Sequence, residues 1–89
     1  MIVRIDKGFQ KDVSKINDVK IKRAITETIE SVQNSENLSS ITNIKKLTGH
    51  KDFYRIRLGN YRIGLRYTED KELIFIRFLD RKEIYQRWP

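Results

Sequence analysis

Residues 54–67, YRIRLGNYRIGLRY, leave a chain few folding choices. On both sides of Gly59-Asn60, apolar or aromatic residues alternate with arginines. That is the period of a strand with one buried face. Two such runs separated by two turn-forming residues make a β-hairpin, with glycine able to take φ > 0 at the first turn position. A two-residue loop sets the register: Leu58 opposite Tyr61, Arg57 opposite Arg62, Ile56 opposite Ile63, Arg55 opposite Gly64 and Tyr54 opposite Leu65. Tyr54, Ile56, Leu58, Tyr61, Ile63, Leu65 and Tyr67 then share the core face. Arg55, Arg57, Arg62 and Arg66 share the other, where Gly64 leaves a notch.

The hairpin needs partners. ELIFIRFL (72–79) reads as a third strand, pairing Tyr67 with Glu72, Ile63 with Ile76 and Arg62 with Arg77. That register sets Phe75 beside Gly64 on the arginine face. MIVRID alternates and reads as a first strand. Phe9, Val13 and Ile16 recur at helical spacing. Asn17-Asp18 breaks that pattern and can cap a second helix. Ile21, Ala24, Ile25, Thr28, Ile29 and Val32 give the second helix one apolar stripe. NSENLSSITN reads as a loop, although Leu38, Ile41, Ile44 and Leu47 recur every third residue, the spacing of a helical turn pinned to the core. DRKEIYQRWP reads as a short polar tail. The expected fold is α+β in a single domain, 1–89. It is a small antiparallel sheet in β-α-α-β-β-β order, with an N-terminal helical hairpin on one face and a short C-terminal tail.

Charge narrows the partners. Nineteen Lys+Arg against twelve Asp+Glu give +7. Between residues 44 and 67, seven cations (Lys45, Lys46, Lys51, Arg55, Arg57, Arg62, Arg66) face one anion, Asp52, a local balance of +6. Such a concentration favours a polyanionic partner over a merely solubilising surface. Arg57 opposite Arg62 is destabilising by some tenths of a kcal/mol, and neither strand offers a carboxylate to neutralise it. Guanidinium forks suit phosphate oxygens. The longest aliphatic or aromatic run, residues 73–76, is far too short to span a bilayer, so no membrane role is expected. Charges follow Met1 at once, leaving no signal-peptide apolar region. The absence of cysteine removes disulfides and thiolate metal sites and suits a reducing cytoplasm.

Several chemistries fall away. With one histidine, His50, a two-histidine ribonuclease mechanism is out of reach. No carboxylate cluster has metal-ligand spacing, and there is no Gly-rich phosphate loop, nucleophile elbow or HExxH, so neither metal nor cofactor is expected. Arginine, lysine and tyrosine remain. Such a set can cleave RNA without metal when the RNA's own 2′-OH attacks the adjacent phosphate and arginines stabilise the phosphorane. Arginine itself is a poor proton carrier, because it stays protonated throughout the ordinary pH range. Lys45, Lys46, Arg55, Arg66, Arg77 and Lys82 are the further candidates for RNA contact.

KKLTGHKDFYRIRLGNYRIGLRY resembles the K-L-x-G and Y-K/R-x-K/R-h-G-x-Y-R-h-h-Y pattern of the RelE/ParE superfamily of bacterial and archaeal type II toxins. FIRFLDRKEIYQRWP is similar to that superfamily's closing h-x-h-h-x-x-R-K/R-D/E-h-Y segment. The resemblance implies a ribosome-dependent, metal-independent endoribonuclease that cuts mRNA in the A site and leaves a 2′,3′-cyclic phosphate. It also implies a cognate antitoxin that wraps the toxin, and a cytoplasmic setting. By position, Arg55 and Arg57 match the two basic strand residues, Arg62 the arginine of Y-R, Arg81 the tail arginine and Tyr85 the tail tyrosine. The implied catalytic set is therefore Arg57, Arg62, Arg81 and Tyr85. Asp80 stands where many relatives carry histidine or another basic residue. Two alternatives stay open: a ParE-like DNA gyrase inhibitor, and a nucleic-acid-binding module without chemistry.

Overall fold

The computed structural model describes residues 1–89. In chain order the elements are β1 (Ile2–Ile5), α1 (Lys7–Ser14), α2 (Val19–Gln33), a 3₁₀ turn (Leu38–Ser40), β2 (Ile44–Lys46), β3 (Phe53–Leu58), β4 (Tyr61–Tyr67), β5 (Glu72–Asp80) and α3 (Arg81–Arg87). All strands join one sheet in the order β1-β5-β4-β3-β2. The α+β class and the N-terminal helices on one sheet face are as the sequence predicts. The sheet is mixed, however, because β1 runs parallel to β5. It also has one strand more than expected, and the tail is a helix.

Local chemistry accounts for the helices. The Asp18 carboxylate accepts from the backbone N–H of Lys20 at 2.8 Å and of Ile21 at 3.4 Å, satisfying two donors that the first turn of α2 leaves free. The predicted stripe from Ile21 to Val32 is buried or half-buried throughout, while the intervening charged residues are exposed. Phe9 of α1 meets Phe75 and Phe78 edge-on, at centroid distances of 5.4 and 6.1 Å. Ile25 and Val32 of α2 complete the core with Ile41, Ile56, Ile63, Leu65 and Leu73.

The β3–β4 hairpin takes the predicted register at every pair from Tyr54–Leu65 to Leu58–Tyr61, and Gly59 has φ +59°. The β4–β5 register differs. Tyr67 lies opposite Leu73, Leu65 opposite Phe75, Gly64 opposite Arg77 and Ile63 opposite Phe78, so Tyr67–Glu72, Ile63–Ile76 and Arg62–Arg77 do not pair. There are two causes. Thr68 N–H donates to the Glu72 carbonyl at 2.9 Å, and Lys71 turns the chain at φ +63°, which shifts the ladder by one residue. A β-bulge then takes up one more residue between Phe75 and Arg77. Phe75 and Phe78, three apart, both reach the core, which strict alternation would forbid. Phe75 is thus fully buried on the helix side, not beside Gly64.

The three-residue repeat also divides. Leu38 and Ile41 pack against the core around the 3₁₀ turn, but Asn43 has φ +63° and Ile44 opens β2 opposite Ile56. The repeat had sampled two elements rather than one helix.

Candidate functional site

The sheet face turned away from α1 and α2 carries the cations. Arg57 and Arg62 lie directly opposite each other, as do Lys45 and Arg55, and Arg55 faces Gly64 on its other side. None of Lys45, Arg55, Arg57 or Arg62 forms a salt bridge; the ion pairs are Arg4–Glu72, Arg77–Asp12 and Arg87–Glu83. The Arg62 guanidinium is held by carbonyls: Nη1 donates to the oxygens of Gly59 and Tyr61, both at 2.8 Å. Backbone acceptors fix the group without neutralising it.

α3 covers part of this face. Asp80 caps it, its Oδ1 accepting from the N–H groups of Lys82 and Glu83 at 2.9 Å each. Asp80 therefore has a structural role here. Ile84 is fully buried and Leu79 nearly so, both outside the main core cluster. Trp88 occupies the Gly64 notch so closely that a Cβ on residue 64 would lie 2.6 Å from the indole. Its Nε1–H donates to the Tyr54 carbonyl at 3.1 Å, and its ring meets Phe53 edge-on at 5.2 Å. So seated, α3 brings the exposed Tyr85 ring to 4.8 Å from the Arg55 guanidinium carbon, within cation–π range.

The result is a cleft of ≈ 360 Å³ lined by Asn43, Ile44, Lys45, Arg55, Arg57, Arg62 and Tyr85. It holds four cations, an amide and a phenol, and no carboxylate. Fixed guanidinium donors in such a cleft can bind a phosphate and stabilise added negative charge on it. No group of three or more His, Asp or Glu side chains is arranged to hold a metal ion anywhere in the chain.

The structure brings together Lys45, Arg55, Arg57, Arg62 and Tyr85 from the sequence candidates. Lys46 borders a neighbouring depression. Arg66 is exposed opposite Phe53 and lines neither. Arg81 and Lys82 are exposed on the first turn of α3 and do not line the cleft; Arg81 is tied there through its N–H to the Asn60 carbonyl at 2.9 Å. Arg77 is engaged elsewhere. Its Nε and Nη2 donate to the buried Asp12 carboxylate at 2.7 and 3.2 Å, and Asp12 also accepts from Phe78 N–H at 2.9 Å. The hydrogen bond that Arg77 donates to Asp12 raises the Arg77 pKa above its ordinary value, against the opposing pull of desolvation. The sequence reading missed Asn43, which carries no signal by spacing, and α3, which the pattern Asp80-x-x-Glu83 announces as a helix start.

Comparison with known proteins agrees with this architecture. Residues 3–85 match the family described as the ParE toxin of type II toxin–antitoxin systems, parDE. The chain is 42% identical over 90 residues to Toxin RelE3 of Methanocaldococcus jannaschii, covering all of both chains. It superposes on a chain of the RelB–RelE antitoxin–toxin complex from Methanococcus jannaschii with a TM-score of 0.79 and 41% identity, covering 97% of this chain and 99% of that one. A chain of the archaeal RelE–RelB complex from Pyrococcus horikoshii shares the fold, with a TM-score of 0.73, 24% identity and coverage of 90% and 93%.

Proposed function

The chain belongs to the RelE/ParE superfamily of type II toxin–antitoxin toxins, and from that premise we propose that its arginine cleft is the active site of a ribosome-dependent endoribonuclease. One observation carries the reading: Arg57 and Arg62 oppose each other beside Arg55 and Tyr85, with no carboxylate in the cleft. The RNA 2′-oxygen attacks the adjacent phosphorus, the P–O5′ bond breaks, and the products are a 2′,3′-cyclic phosphate and a 5′-hydroxyl. The proton leaving the 2′-OH is balanced by one gained at the departing oxygen. Arg57 and Arg62 stabilise the phosphorane, and the Tyr85 ring orients the substrate by stacking. The ribosome supplies the in-line bend of mRNA in its A site. The reaction needs no metal, since the charge a metal would neutralise is met by guanidinium groups.

A cognate antitoxin is the natural inhibitor on this reading. The similarity to the toxin chain of a RelB–RelE complex supports it. No helix is long and apolar enough to cross a membrane, and a cytoplasmic site of action follows from a ribosomal target.

A second reading, a gyrase inhibitor, draws on the ParE description of the matching family. Primer extension on mRNA after induction in cells, read beside the integrity of their DNA, separates the two. Codon-positioned cuts that vanish in Arg62→Ala support the nuclease; DNA breaks that require gyrase, with intact mRNA, would establish the alternative.

A further inference from the structure

Next to the arginine cleft lies a second depression, of ≈ 440 Å³. Lys45, Arg55 and Tyr85 line both, so the two are contiguous. Lys46, His50 and Trp88 line only the second. No acidic residue borders it. Its aromatic wall is pre-ordered: Trp88 is seated on Gly64, tied to the Tyr54 carbonyl and braced by the Phe53 edge. Phe53 is in turn braced by His50, ring centroids 5.9 Å apart at 81°. An immobilised aromatic ring beside cations is the arrangement that holds a nucleobase and its phosphate in single-stranded recognition. A substrate with one phosphate would fill the first cleft and leave the second idle. A chain of nucleotides would use both.

We propose that this second depression is a subsite for the neighbouring nucleotide of single-stranded RNA. Trp88 stacks on the base, while Lys46 and His50 contact the flanking phosphate. This rests on the reading of the arginine cleft as an RNA site. An imidazole donates an N–H in either protonation state, so His50 can serve whatever its charge.

The chain contains a single tryptophan, so its emission reports on Trp88 alone. The probe is a 5′-labelled 2′-O-methyl trinucleotide, which lacks the attacking hydroxyl and cannot be cleaved, compared with its abasic counterpart. Anisotropy gives the affinity and tryptophan emission gives stacking. Binding of the trinucleotide should quench Trp88, and the abasic chain should bind roughly 5- to 100-fold more weakly with little quenching. His50→Ala and Lys46→Ala, both at exposed positions, should weaken trinucleotide binding several-fold. Failure of the trinucleotide to bind, binding with unchanged emission, equal behaviour of the abasic chain, or indifference to both alanine variants would each overturn the subsite. Cleavage on programmed ribosomes is read separately. A protein that binds through Trp88 but cuts no mRNA refutes the nuclease and leaves the subsite standing. A nuclease whose Trp88 ignores the trinucleotide refutes the subsite alone.

Discussion

Gly64→Ala tests whether the seating of Trp88 positions Tyr85. A Cβ at residue 64 lies 2.6 Å from Cδ2, 2.8 Å from Cε2 and 2.9 Å from Cγ of the indole, all atoms of a rigid ring. Residue 64 sits in the middle of β4, so the strand cannot retreat without breaking its ladders to β3 and β5. The indole must leave. Its departure loses the hydrogen bond to the Tyr54 carbonyl, worth about 0.5–1.5 kcal/mol net. It also loses the edge contact with Phe53, worth about another 0.5–1.5 kcal/mol. The expected destabilisation is therefore roughly 1–3 kcal/mol, a minor part of the ~5–15 kcal/mol of a typical domain, and the protein stays folded. With a urea m-value of about 1–3 kcal/mol/M, the unfolding midpoint falls by about 1 M. Emission of the sole tryptophan shifts to the red, and cleavage falls by about 100-fold, the scale of an ångström-sized misplacement of a site group. A double-mutant cycle isolates the contact: in a Trp88→Ala background, Gly64→Ala should cost a few tenths of a kcal/mol at most. An unshifted emission maximum with unchanged stability in Gly64→Ala would refute the seating.

Tyr85→Phe should retain most single-turnover cleavage while Tyr85→Ala loses it, because the ring lies against Arg55 and no hydrogen bond holds the hydroxyl. A loss of about 10²- to 10⁴-fold in the phenylalanine variant would instead assign proton transfer to that hydroxyl. Asp12→Ala orphans the buried Phe78 N–H and the Arg77 guanidinium, and should cost about 2–4 kcal/mol by urea unfolding, below the ~3–5 kcal/mol of a fully buried pair because Arg77 reaches solvent. Its folded fraction should cleave normally; a specific loss of activity at full stability would return Arg77 to the site. Association with the antitoxin should weaken as salt rises, since the unpaired cations of the strand face would attract an acidic or amphipathic segment. An affinity flat from low to high salt, measured by calorimetry, would exclude that face as the main contact.

The β3–β4 register was legible because arginines, interrupted only by Gly64, marked alternate positions and Gly59-Asn60 set the loop length. β5 offered no such phase. Leu73, Ile74, Phe75, Ile76, Phe78 and Leu79 are all apolar, so nothing in the run says which residue is skipped by the bulge. Phe75 was misplaced for that reason, and Arg77 with it. The carboxylate that holds Arg77 lies 65 residues away in α1, a pairing that only the folded chain creates. The strand-borne part of the cleft was visible in the alternation, whereas Asn43 was not, because its contribution depends on a left-handed backbone at the entry to β2. The notch at Gly64 was visible too, but what fills it was not: Trp88 is 24 positions downstream, beyond a strand and a helix.

β5 ends at Asp80 and α3 begins at Arg81, with no linking residue between them. Asp80 is at once the last rung opposite Tyr61 and the cap of the helix. The angular phase of α3 is thus counted from the sheet, about 100° per residue. Ile84 points down to the strands by that count, Tyr85 stands one step around from it, and Trp88 follows as the extended residue that caps the helix end. Adding or removing a single residue at the junction would turn every side chain of α3 by about 100° while leaving each in the sequence. Ile84 would be carried out of its socket and Tyr85 away from Arg55, whereas exchanges at the exposed Gln86 would pass unnoticed. At this corner chain length carries as much functional information as residue identity, and a homologue with one residue more or fewer here would have to rebuild its cleft from other positions.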